Sequence, residues 1–145
     1  MKYLLLALLL AASCATHAQQ LFSATSKTFD VPFDISVTEV KRENRVSTIQ
    51  VTNIYRRTAP ATRWMMCMIN ALAILRGYDY WTVVYPGPPT AETMGAAGEV
   101  LVGFPRTQTE KLSDSDPRFA SQYALPSVVS VAQGASLCLG YRGGQ

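Results

Sequence analysis

Histidine is almost absent: the 145 residues contain 1, at position 17. His17 lies in a leading stretch that reads as an export signal, so a cut after Ala18 would leave a mature chain without imidazole. That removes the base from Ser-His and Cys-His nucleophile pairs, and the ligand from His-held metals. There is no G-x-S-x-G turn and no Walker phosphate loop. Gly95-Ala96-Ala97-Gly98 lacks the strand, turn and helix context that a phosphate cradle needs. Charge of one sign is scarce as well. With 13 basic and 10 acidic residues the net charge is +3, and losing Lys2 with the signal lowers 13 to 12 and +3 to +2. Nucleic-acid binding rests on phosphate neutralisation and is not expected from so small an excess. No internal repeat or coiled-coil heptad is present, and the apolar run at residues 4–12 is too short to span a membrane.

What remains for chemistry is carboxylate. Asp114 and Asp116 have calcium-ligand character but lack the other positions of a loop motif. Asp79 and Glu99 are the pair left for acid and base work, the basis of a carboxylate-dependent hydrolase as a minor alternative. The expectation is a non-enzyme with no catalytic residues, no metal and no cofactor.

The basic start at Lys2 and the Leu/Ala run at residues 4–12 form an export signal with two competing ends. Thr16-His17-Ala18 offers small residues for cleavage after Ala18, which makes residues 1–18 the signal peptide. Ala11-Ala12-Ser13-Cys14 approximates a lipoprotein box, which would end the signal at residue 13 and make Cys14 a lipidated anchor. Both routes lead to the periplasm, to secretion or to a membrane-anchored lipoprotein, with no membrane span after processing. Of the 3 cysteines, Cys67 and Cys138 then remain in an oxidising compartment, and a disulfide between them is expected. Two buried free thiols are the alternative.

The central stretch is residues 58–85. Thr58 and Pro60 suit the start of a helix, and Arg76 and Gly77 suit its end. Trp64, Met65, Cys67, Met68, Ala71, Leu72, Ile74 and Leu75 supply its apolar arc. The methionines at 65, 66 and 68 read as core filling, with an adaptable groove as the functional alternative. The aromatic, β-branched run at residues 80–85 is a strand stopped by Pro86-Gly87-Pro88-Pro89. Alternation directs Trp81, Val83 and Tyr85 to the helix and Tyr80, Thr82 and Val84 to the opposite face.

A helix closing in Gly77-Tyr78-Asp79-Tyr80-Trp81 before a valine-rich strand, behind an export signal, resembles a group of small bacterial envelope proteins, many of them lipoproteins. The resemblance covers residues 46–85. It implies a location and a fold type, and carries over no catalytic residue.

Elsewhere, residues 19–27 read as a flexible lead-in, and Phe29, Val31 and Phe33 as a short edge strand broken at Pro32. Residues 34–40 and 46–55 form a hairpin around a charged, solvated turn at 41–45, and residues 99–104 another strand. Residues 106–126 form a long surface loop. Residues 127–132 and 135–139 form a closing hairpin around Gln133-Gly134, and residues 142–145 a tail. The fold class is therefore α+β: a small, mostly antiparallel sheet on one central helix, in the order β-β-α-β-β-β, as a single domain over residues 28–141. The expected role is that of an exported envelope accessory or protein-interaction domain binding another envelope protein. The alternative is a periplasmic inhibitor or immunity protein. Candidate contact residues are Arg106, Lys111, Arg118, Phe119 and Tyr123 of the loop and Tyr80 of the strand, since loops, aromatics and arginines carry much binding energy. Phe119 and Tyr123 pinning the loop to its own domain is the competing reading.

Overall fold

A computed structural model describes residues 20–141. Within them the fold is α+β: a six-stranded antiparallel sheet in the order β1-β2-β3-β5-β4-β6, with one long helix on its face. The strands are β1 (Ser23–Thr25), β2 (Ser36–Glu43), β3 (Val46–Val51), β4 (Tyr80–Val84), β5 (Gly98–Gly103) and β6 (Val129–Ser130), and the long helix is α1 (Ala59–Leu75). The expectations for residues 1–18, including His17 and the lipidation of Cys14, and for residues 142–145 lie outside the described residues.

The β2–β3 hairpin is tighter than expected. β2 continues to Glu43, and Asn44 with Arg45 (φ 60°) makes the turn. The anticipated solvated turn at 41–45 is thus mostly strand, and Arg42 folds back onto a buried carboxylate, Glu39. Val37 faces Val51 and Glu39 faces Ile49 across the ladder, with a bulge between Glu39 and Lys41. Ile49 faces Val100 on β5. These residues line the helix side of the sheet, as the two-residue period requires.

Helix α1 begins and ends where its sequence directs. The Thr58 side chain accepts the Ala61 amide at 3.4 Å, Pro60 occupies the first turn, and Gly77 takes φ 78° past the last turn. Trp64, Met65, Cys67, Met68, Ile69 and Leu72 are buried against Trp81, Val83 and the inner face of β2, β3 and β5. Met65 and Met68 are thus core. The buried stripe runs through Ile69 and Ala73, and Ile74 and Leu75, expected inside, are 58% and 61% exposed. Asn70 is buried and satisfied: it accepts the Trp81 indole N–H at 2.8 Å and donates to the Val131 carbonyl at 3.3 Å.

Further differences from expectation concern the two ends of the described residues. Ser23–Thr25, within the expected lead-in, forms β1, paired to β2 through Ser23 and Thr38. The edge strand expected around Phe29 and Phe33 is absent. A 3-10 turn (Ser26–Thr28) instead brings both rings edge-on to Trp64 at 5.7 and 6.4 Å, because apolar burial on one indole outweighs strand alternation around Pro32. The closing hairpin is also absent. Ser130 and Gln133 form a reciprocal capping box that starts a short helix, α2 (Val131–Gly134), followed by a 3-10 turn (Ala135–Cys138). Cys138 is bonded to Cys67 with Cα atoms 5.0 Å apart, so the disulfide joins α1 to this turn and not to a strand.

The first part of the 105–126 segment, through Leu112 and Phe119, lies on the sheet face opposite α1, and its end runs along the edge of β4. Leu112 and Phe119 are buried there with Val46 and Val84. Gly103 makes the approach possible, since a Cβ at that position would overlap Leu112 and Phe119. The sheet centre is thereby covered on both sides.

Candidate partner-binding groove

Three separated segments converge beyond the end of β4. The connector between β3 and α1 turns through Asn53 (φ 54°) into a 3-10 turn (Ile54–Arg56), which buries Ile54, leaves Tyr55 and Arg57 half-buried and exposes Arg56. At the end of β4, Pro86 stops the ladder and leaves Tyr85 at the rim. The long loop returns alongside: the Tyr85 amide donates to the Tyr123 carbonyl at 3.1 Å, and the Leu125 amide to the Val83 carbonyl at 2.9 Å. Tyr55, Tyr85, Tyr123, Pro86, Pro88 and Arg57 then line a hollow of about 290 Å³.

The groove is apolar with one charge. The Arg57 guanidinium lies 5.2 Å from the centre of the Tyr85 ring and donates to the Ile54 carbonyl. Its Nε is buried without a hydrogen-bond partner among the described residues. The Tyr85 hydroxyl donates to the Met66 sulfur at 3.3 Å, and burial pushes this phenol up against the opposing charge of Arg57. Neutral at ordinary pH, Tyr85 offers a ring to a ligand and no base. Aromatic faces carrying a stacked cation suit contact with a partner surface. Met66 is the one methionine of its cluster that reaches this region.

No family model, curated protein or solved structure matches the chain. The chemistry of the site rests on its own residues.

The six candidate contact residues do not form one surface. Tyr123 is 38% exposed and lines the groove. Phe119 is buried in the second core cluster. Arg118 is paired with Asp116 at 2.7 Å and Glu43 at 3.1 Å, and these carboxylates, Asp116 first, push its guanidinium further up. Lys111 is exposed beside a separate hollow of about 220 Å³ over Thr82 and Leu112. Arg106 is exposed, and its backbone amide donates to Glu110. Tyr80 is half-buried, and Thr82 and Val84 beside it are buried, so the strand face expected to be open is largely covered by the loop. Tyr55 and Arg57 are the groove residues that sequence reasoning missed as a site. The signal available was weak: an aromatic-basic run, Tyr55-Arg56-Arg57, just ahead of a helix cap.

A second cluster is chemically prominent and has a structural role. The Glu39 carboxylate is fully buried and accepts from Arg42 Nε at 2.9 Å, Ser47 Oγ at 2.6 Å and the Phe22 amide at 3.0 Å. Burial alone would push this carboxyl up, but the bonds from Arg42, Ser47 and Phe22 outweigh it and hold it at about 2. The carboxylate oxygens are thus committed to Arg42, Ser47 and Phe22. Arg76 completes the cluster by donating to Ser47 Oγ at 2.7 Å and to the Glu43 carbonyl at 2.7 Å, which clamps the end of α1 to the hairpin. Asp116 caps the 3-10 turn Pro117–Ala120, and Asp79 and Glu99 are exposed. Among the described residues no three His, Cys, Asp or Glu side chains converge as a metal site, and no helix is long and apolar enough to cross a membrane.

Proposed function

We propose that this is an exported, non-catalytic cell-envelope domain that binds another envelope protein through the Tyr55, Tyr85, Tyr123 groove. The observation that carries this reading is the convergence of three tyrosines, two prolines and a stacked arginine from distant segments into one open hollow. Rigid aromatics and arginine dominate binding energies at protein interfaces, and tyrosine gives contact area at small entropic cost. The Cys67–Cys138 disulfide supports an oxidising location such as the periplasm or the cell exterior. Processing to Gln19 or lipidation at Cys14 are the two proposed routes there, the latter giving a lipid anchor. An inhibitor would need a projecting loop to enter an enzyme cleft. Residues 105–126 are instead held on the sheet by Leu112 and Phe119, which favours recognition at the groove.

The test is copurification from the native envelope after crosslinking, with the triple variant Tyr55→Ser, Arg57→Gln, Tyr123→Ser as comparison and circular dichroism as the control for folding. The unmodified chain should retain a defined protein partner that the folded variant loses. Identical partner sets from both would remove the groove from the function.

A further inference from the structure

Two hollows adjoin along the connector at residues 53–58. The first is the tyrosine groove. The second, of about 260 Å³, is lined by Phe33, Ile35, Ala61 and Arg56 and shares Arg57 with the first. We propose that the pair takes one extended, proline-containing segment of a partner protein. A proline would lie against Tyr85 and Tyr123, and an acidic side chain would sit beside Arg56 and Arg57. This rests on the reading of the groove as a partner site and specifies its ligand.

Backbone availability excludes strand addition at this place. The β4 edge beside the groove already pairs with the returning loop, through Tyr85 to Tyr123 and Leu125 to Val83. A strand arriving here would find those donors and acceptors used. What is left is side-chain surface: three rings and two prolines, with the Tyr85 hydroxyl committed to Met66. Such a surface suits a polyproline segment, which is already ordered, forms no internal hydrogen bonds, and lacks an N–H at each proline. A glycan fits less well, because no carboxylate or carboxamide lines the first hollow to hold its hydroxyls.

Charge fixes the second requirement. Neither Arg56 nor Arg57 has a carboxylate oxygen within 4.0 Å among the described residues. The acid on this rim, Asp34, is held by Lys27 at 3.3 Å. The Arg57 Nε remains an unpaired buried donor among the described residues. Thr58, the N-cap of α1, and Ala61 in its first turn also border the second hollow, so the helix dipole adds to the positive potential there. A carboxylate on the bound segment would give the two arginines charge-assisted bonds, with proline contacts in the adjoining hollow setting its register.

The test is selection of a random peptide display library against the mature, disulfide-bonded chain, followed by a double-mutant cycle on the tightest peptide. Enriched sequences should share a proline with Asp or Glu nearby. Neutralising that acid should weaken binding by about fivefold, the scale of one partly exposed ion pair, and Arg57→Gln should shrink the difference, with Arg56→Gln added to it abolishing the rest. Tyr123→Ser, at an exposed ring, should weaken the acidic and neutral peptides alike. Enrichment without proline overturns the inference, as does an acid whose neutralisation matters equally with and without Arg57. Binding of soluble chitohexaose at the Tyr123 resonances in place of peptides also overturns it. If no peptide is selected while the native chain still copurifies a protein through the groove, the proposed function stands and this ligand class falls. If the copurified protein is lost to no groove variant, both fall.

Discussion

Glu39→Gln separates the energetic role of the buried carboxylate from its shape. In the folded chain the carboxyl is held at about 2, against an ordinary value of 4.5. That gap corresponds to about 3 kcal/mol of stability. Because the folded value lies below the unfolded one, the contribution is complete above about pH 5 and is lost as the pH falls through about 4.5 towards 2. The substitution would keep the side-chain volume but place an amide N–H among the donors Arg42, Ser47 and Phe22, leaving a cation poorly compensated. The assay is urea unfolding followed by the fluorescence of the buried Trp64 and Trp81 at a series of pH values. The variant should be less stable by about 3 kcal/mol at neutral pH, and the two stability curves should converge as the pH approaches about 2. Glu43, Glu110 and Asp116 are also lowered by arginine partners, but they titrate in both proteins and cancel in the difference. Parallel curves across the whole range would refute the assignment of Glu39 as an ionised, fully bonded carboxylate.

Reduction of the Cys67–Cys138 bond, which spans a sequence separation of 71 residues, should lower stability by about 2–5 kcal/mol. Free thiols titrating in the native, unreduced chain would contradict it. Phe119→Ala should cost about 3–5 kcal/mol by emptying the core on the outer sheet face, whereas the exposed Tyr123→Ala should stay within about 0.5 kcal/mol. Equal costs in thermal melts would mean that the loop is not pinned as described. Gly134→Ala should destabilise clearly, because the new Cβ would overlap the Asn70 side chain that holds Trp81 and Val131. An unchanged melting temperature would show that α2 does not sit against α1.

The long helix was readable because its signals are local: Thr58 as cap, Pro60 in the first turn and Gly77 at the end act within a few residues of the backbone they direct. The β2–β3 hairpin was readable in outline for the same reason, though its turn moved because Glu39 draws Arg42 inward. Only folding reveals that attraction. β1 could not be read from Ser23-Ala24-Thr25, which has no hydrophobic alternation and becomes a strand because β2 offers it an edge. In the closing segment Val129 and Ser130 do form a strand, β6, but the Ser130 to Gln133 box directs a helix from the next residue onward, so neither the rest of that strand nor its hairpin partner at 135–139 forms. Residues 105–126 looked unstructured since Leu112 and Phe119, the two side chains that anchor them, are separated by polar residues. The groove was the least legible feature, assembled from Tyr55 and Arg57, from Tyr85 with its prolines, and from Tyr123, whose proximity depends on the β4 ladder. The paired cysteines, by contrast, were legible from their count together with the expectation of export.

The most direct measurement is site-specific photocrosslinking in the native envelope, with the same photoreactive residue placed at position 123 in one protein and at position 118 in another. Position 123 lines the groove, while Arg118 is tied to Asp116 and Glu43 over the opposite part of the loop. A discrete protein adduct from position 123 and none from 118 is the expected result. Adducts from 118 alone, or equal adducts from both, would contradict recognition at the tyrosine groove.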